Sequence, residues 1–195
     1  MYRLSAGKLF KTDITNASRT MLFNINTLRW DDELLKLFDI PKPLLPEVVH
    51  SDSCFGSLSE LGDITIHAVL GDQQAALFGQ GCLEKGQLKS TYGTGCFIMS
   101  NVGDKPIHSD DGLLTTIGFS LNGKVFYAIE GSIYASGTTV QWLRDNLQFF
   151  DKSDQSEIYL NEDGNANNVL FIPAFTGLGA PYWNCLLYTS DAADE

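Results

Sequence analysis

The sequence is short of positive charge, of cysteine and of histidine, and it contains no long apolar run. Its 13 lysines and arginines stand against 24 aspartates and glutamates, for a formal net charge of −11 and a pI near 4.5. Such a surface repels nucleic acid and anionic lipid, so neither is an expected partner. The four cysteines, Cys54, Cys82, Cys96 and Cys185, form no CxxC pair, and the three histidines, His50, His67 and His108, are scattered. That pattern predicts neither a zinc site nor a disulfide framework, and free thiols suit a reducing compartment. No apolar stretch is long enough to span a bilayer, and residues 1–5 do not read as a signal peptide, so the expected location is cytoplasmic. A Walker loop, a dinucleotide fingerprint and any Ser/His/Asp or Cys/His arrangement are missing as well.

What is present is the make-up of a globular protein. The 195 residues are 44% hydrophobic and 19% charged, enough for one substantial domain or two small ones. Residues 30–40 place Trp30, Leu34, Leu37 and Phe38 on one helical face, with Asp31, Asp32 and Glu33 in the first turn and Pro41 and Pro43 beyond the end. Residues 64–70 alternate as a strand does, then Gly71 and Asp72 turn into a helix over 73–78 that stops at Gly79. Residues 87–92 and 96–101 predict two strands joined by Gly93, Thr94 and Gly95. A second hairpin is predicted over 113–130 about Asn122 and Gly123, a dipeptide that tolerates left-handed φ at both turn positions. Val140, Leu143, Leu147 and Phe150 recur at helical spacing from about Thr138. Residues 151–168 read as a polar excursion, and 169–172 as a buried strand. Three glycines between Gly79 and Gly86 mark a boundary or hinge. The fold class is α/β.

Three segments could carry chemistry. Asp72 follows a predicted strand and opens a helix, where a carboxylate can accept a proton from a substrate hydroxyl; equally, Asp is a good helix N-cap. The glycines about Thr94 would let backbone N–H groups approach a phosphate, or would simply close a turn. Gly137 and Gln141 are four apart and share a helix face, which suits a nucleotide or merely a loop glycine and an exposed glutamine.

Seven ordered stretches, 12–25, 71–80 (Gly-Asp-Gln-Gln-Ala-Ala-Leu-Phe-Gly-Gln), 91–97, 112–117, 127–131, 141–146 and 173–183, together resemble the glycerol kinases of the FGGY carbohydrate-kinase family. The resemblance covers residues 2 to about 184. It implies the actin/hexokinase-like (ribonuclease H-like) ATPase fold. Residues 1–80 then match the end of a first, substrate domain, and 81–184 the start of a second, nucleotide domain. The family's opening segments, with its first phosphate loop and an Arg-Glu pair for the glycerol hydroxyls, have no counterpart here. Residues 185–195 match nothing in the family and read as a foreign tail, so the chain is expected to be an inactive piece of a larger kinase.

The resemblance further implies ATP and Mg²⁺ as cofactors, glycerol as substrate and a homo-oligomer as the assembled form. Asp72 matches the carboxylate that deprotonates the attacking hydroxyl, and could meet the metal indirectly. Gln73 and Phe97 match residues of the glycerol pocket, and Thr94 a phosphate contact. Gly137 and Gln141 match nucleotide contacts. Family members inhibited by fructose 1,6-bisphosphate carry an arginine about where Asp63 stands. Another polyol or sugar kinase of the same family, or a non-catalytic actin-fold binding module, are the alternatives; a base at Asp72 has no use in the latter.

Overall fold

Local chemistry fixes short elements first. The computed structural model describes residues 1–160 and 170–187. In chain order its elements are β1 Lys11–Asp13, α1 Ile14–Ala17, β2 Phe23–Asn24, β3 Arg29–Trp30, α2 Asp32–Leu37, β4 Glu47–Val49, β5 Gly56–Leu58 and β6 Ile64–Ile66. Then follow α3 Asp72–Gly79, β7 Leu88–Tyr92, β8 Cys96–Gly103, β9 Leu114–Leu121, β10 Lys124–Ile133, α4 Gly137–Asp145 and α5 Ser156–Leu160. The described residues divide into two units. The first holds Met1–Lys89, Met99–Ser109 and Leu114–Glu130; the second holds Ser90–Ile98, Asp110–Leu113 and the chain from Gly131 onward.

The greater part of a four-stranded sheet, in the order β7-β8-β10-β9, organises the first unit. The turn at Asn122 and Gly123 has positive φ at both residues, as predicted for the hairpin. The β9–β10 register slips once: Phe126 faces Phe119, but Tyr127 faces Ile117, leaving Gly118 as an extra residue. Side chains alternate strictly along a strand, so this bulge puts Ile117 and Phe119 on opposite faces. One face then buries Ile117, Tyr127 and Val102 against Ile14 and Ala17 of α1 and against Phe23. The other buries Phe119, Met99 and Ala128 against Leu77 of α3, with Phe126 stacked on Phe119 at 4.8 Å. Two helices thus sandwich one sheet, and each layer seals a core of its own. Beside them β1 pairs in parallel with β4.

Several expectations need correcting. The helix near Trp30 begins only at Asp32, because Asp31 caps it, accepting from Glu33 N and Leu34 N. Trp30 belongs to β3 and packs edge-on against Phe23 at 5.6 Å. The inward residue of α2 is Leu35, whereas Leu37 and Phe38 are 74% and 52% exposed. Strand β6 covers only Ile64–Ile66 and pairs with β5, and residues 67–71 are irregular. The α4 helix stops at Asp145, short of Leu147 and Phe150, and α5 occupies part of the supposed polar excursion. Leu170, Phe171 and Ile172 form no strand and are exposed. The rest of that excursion, 161–168, lies outside the described residues, as do Val169 and residues 188–195 of the expected tail.

Asp31 also predicts an acid response. The Asn24 amide, and then the N–H groups of Leu34 and Glu33, hold its carboxyl below the usual carboxylate range. A depressed folded value stabilises the fold above the unfolded value of about 3.9, and that contribution fades as pH falls through the folded one. Asp31→Asn keeps a capping oxygen but cannot titrate. Its acid-unfolding curve, followed by circular dichroism, should be shallower than the parent's below about pH 4; superimposable curves would contradict this.

Candidate active site

In the first unit, the site region grows from the end of β1. Asp13 is wholly buried and caps α1. It accepts from Thr15 N at 2.9 Å, Thr15 Oγ1 at 2.6 Å, Asn16 N at 3.1 Å, Asn16 Nδ2 at 2.6 Å and Ser51 Oγ at 2.8 Å. Thr15 Oγ1, having given its proton to Asp13, accepts from Gly71 N at 2.9 Å. Gly71 is the N-cap of α3, and Asp72 is its first helical residue. The carboxylate of Asp72 is therefore not a cap; the backbone of Gly71 takes that place. A buried carboxylate thus sets the backbone from which Asp72 projects.

Asp72 itself is exposed, and among the described residues its carboxylate has one hydrogen bond, from Gln73 N at 2.7 Å. An acceptor this lightly engaged can take a proton from a ligand. Gln73 Oε1 is bonded by the ammonium of Lys89 from β7. Gln74, buried one position on, ties α3 to the sheet through its amide and Ile117 O at 3.3 Å.

The second unit holds the tip of the β7–β8 hairpin, where Gly93 N bonds Gly95 O at 2.8 Å. Its carbonyls meet the start of α4: Gly93 O accepts from Gly137 N at 2.9 Å, and Thr94 O from Ser136 N at 2.9 Å and Thr138 Oγ1 at 3.0 Å. The first N–H groups of a helix need acceptors, and here the hairpin supplies them. This changes the meaning of two glycines. A Cβ on Gly137 would stand 2.5 Å from Gly93 O, and one on Gly95 2.5 Å from Ile133 O. Both positions therefore need glycine because backbone meets backbone there. Thr94 is exposed at the tip, and Gln141 is exposed one helical turn beyond Gly137. Phe97 is half-buried on β8.

The structure thus joins Asp72 with Gln73 in one unit and Thr94 with Gly137 in the other. An apolar groove of about 650 Å³, lined by Val140, Leu143, Phe149, Phe150, Ser156 and Tyr159, contains none of the six expected site residues. Asp13, Thr15 and Lys89 are supporting residues that sequence reasoning passed over. An Asp two before a Thr at the end of a strand is a signal that could have pointed to the first pair. A lysine in a strand gives no such signal. Among the described residues no group of three or more His, Cys, Asp or Glu could hold a metal ion, and none of the cysteines is paired. No helix among them is long and apolar enough to cross a membrane.

Removing Asp13 should be costly, because five donors would lose their acceptor together. Asp13→Leu is expected to lower stability by about 3 kcal/mol, read as the denaturant midpoint at unchanged slope. A change under about 1 kcal/mol would show that the network is not structural.

Comparison with known proteins identifies the family. Residues 1–79 match the N-terminal domain of the FGGY family of carbohydrate kinases, and residues 88–187 match its C-terminal domain. The chain is 50% identical over 187 residues to a glycerol kinase of Agathobacter rectalis and 54% identical over 187 residues to one of Alteromonas mediterranea. Each alignment covers 94% of this chain but 38% of the relative. The crystal structure of Plasmodium falciparum glycerol kinase with ADP superposes at a TM-score of 0.85 with 41% identity, over 96% of this chain and 38% of that one. The fold is therefore the actin/hexokinase-like one. On the two domain matches and these likenesses, the chain belongs to the FGGY family of carbohydrate kinases.

Proposed function

We propose that this chain carries the general-base and phosphate-binding segments of an ATP-dependent glycerol kinase. The observation that carries the reading is Asp72: exposed, lightly engaged, and standing on a backbone fixed by Thr15 and Asp13. Identities of 50–54% to glycerol kinases support glycerol over other polyols.

In this reading the Asp72 carboxylate takes the proton from a primary hydroxyl of glycerol. The oxygen so freed forms a bond to the γ-phosphorus, and the bond between that phosphorus and the bridging oxygen of ADP breaks. The products are sn-glycerol 3-phosphate and ADP, and Asp72 returns its proton to solvent. Gln73 hydrogen-bonds a further hydroxyl of glycerol, and the Phe97 ring packs on its carbons. The Thr94 hydroxyl donates to a phosphate, while Gly137 and Gln141 border the nucleoside. Mg²⁺ would supply neutralising charge at the phosphates, and Asp72, a single exposed carboxylate, would help to hold it indirectly. Phosphoryl transfer asks a protein chiefly for positioning and charge stabilisation, which is what these residues offer.

Residues 1–80 and 81–184 would be the adjoining ends of a substrate domain and a nucleotide domain, in a cytoplasmic homo-oligomer. The test is product identity. The full-length protein given ATP, Mg²⁺ and glycerol should yield glycerol 3-phosphate in the phosphorus NMR spectrum, with ADP in equal amount. ADP without a phosphorylated polyol would contradict the reading.

A further inference from the structure

Lys89 is a buried cation that the phosphoryl-transfer step above leaves unused. It stands on β7 with 1% of its surface exposed. Lysine is almost never buried so completely without a partner, because removing an ammonium from water is costly. One of its bonds is to Oε1 of Gln73. We propose that Lys89 is a positioning residue that fixes which end of the Gln73 amide meets the substrate.

Donor and acceptor types decide the orientation of the Gln73 amide. A primary amide has an acceptor end and a donor end of nearly the same shape, and a half-turn exchanges them. An ammonium has three donors and no acceptor, so it can hold only the oxygen end. With Oε1 held, the end left for a ligand is Nε2, which only donates. The first two residues of α3 then offer opposite chemistry side by side: Asp72 accepts a proton, and Gln73 gives a hydrogen bond. A polyol with hydroxyls on neighbouring carbons fits that pair, one hydroxyl donating to Asp72 and the oxygen of the next accepting from Gln73. Without Lys89 the amide could turn, and its oxygen would then compete with Asp72 for the same hydroxyl protons. Lys89 thus acts on specificity through Gln73, without touching substrate.

This inference rests on Asp72 and Gln73 binding glycerol as proposed above, and a double-mutant cycle in the full-length protein tests it. Lys89→Met should raise KM for glycerol roughly tenfold, the worth of one misdirected hydrogen bond, with KM for ATP within about twofold. Gln73→Ala should do the same. The double variant should lose no more than Gln73→Ala alone, because one residue acts through the other. Losses that multiply, or an unchanged glycerol KM in Lys89→Met, would overturn the proposal. Gln73→Glu provides a second arm should Lys89→Met fail to fold. It keeps an acceptor for Lys89 but removes the outward donor, so glycerol KM should rise as in Gln73→Ala; an unchanged KM would again overturn it. A parent protein that does not phosphorylate glycerol would sink the functional reading instead, and the two failures are told apart by the parent's activity.

Discussion

Asp72→Asn in the full-length protein is expected to lower kcat roughly 10²- to 10⁴-fold while leaving the KM values for glycerol and ATP within several-fold. That is the usual share of a positioned general base. The substitution is nearly isosteric, and the backbone at Gly71 is held by Thr15 rather than by the Asp72 side chain. The first turn of α3 should therefore survive, and thermal unfolding should stay close to the parent's. A loss in kcat without a loss of binding is the signature of an interaction made chiefly in the transition state. Turnover within threefold of the parent would remove Asp72 from the mechanism.

Gly95→Ala should weaken nucleotide binding by roughly 10- to 100-fold. Its new Cβ would lie 2.5 Å from Ile133 O and 3.1 Å from Tyr134 O, both backbone atoms that cannot swing aside. The hairpin tip must move, and with it Thr94 and the carbonyls of Gly93 and Thr94 that the start of α4 uses as acceptors. The damage falls in the second unit, which supplies Phe97 to the glycerol site, whereas Asp72 and Gln73, which bond the glycerol hydroxyls, belong to the first. Glycerol binding without nucleotide should accordingly remain within several-fold of the parent's. Calorimetric titration of each ligand separates the outcomes: equal losses for both would indicate general unfolding, and undiminished ADP affinity would show that the hairpin does not bind phosphate.

The parts legible in the sequence were those where local chemistry decides. Asn122 and Gly123 meet the left-handed φ that a tight hairpin needs, and the pair sits where it was expected. Gly93, Thr94 and Gly95 likewise join two strands, and α3 runs to Gly79 as its residues predict. Tertiary partners decided the rest. Trp30 has helical spacing to Leu34, but Phe23 and the carbonyl of Pro46 hold it in a strand pair, with Asp31 starting the helix after it. The bulge at Gly118 depends on two helices pressing on opposite faces of one sheet, which no period in the sequence reveals. At the site, Asp72 stood out by its place before a helix. Lys89 did not, because burial and an amide partner sixteen residues away are facts of packing. The need for glycine at 137 was hidden for the same reason, since Gly93 O, the atom that would meet its Cβ, comes from a distant part of the chain.

Substrate preference in the full-length protein separates a glycerol kinase from the other carbohydrate kinases of its family. With Mg²⁺ and ATP saturating, kcat/KM would be measured for glycerol, for the tetritol erythritol and for the pentulose D-xylulose, in one preparation by ADP release. Glycerol should be preferred by roughly 100-fold or more, the discrimination available to a site whose polar groups match one substrate's hydroxyls. Equal or greater kcat/KM for the pentulose, or no phosphoryl transfer to any of the three, would contradict the assignment of Asp72, Gln73 and the Thr94 hairpin to a glycerol kinase.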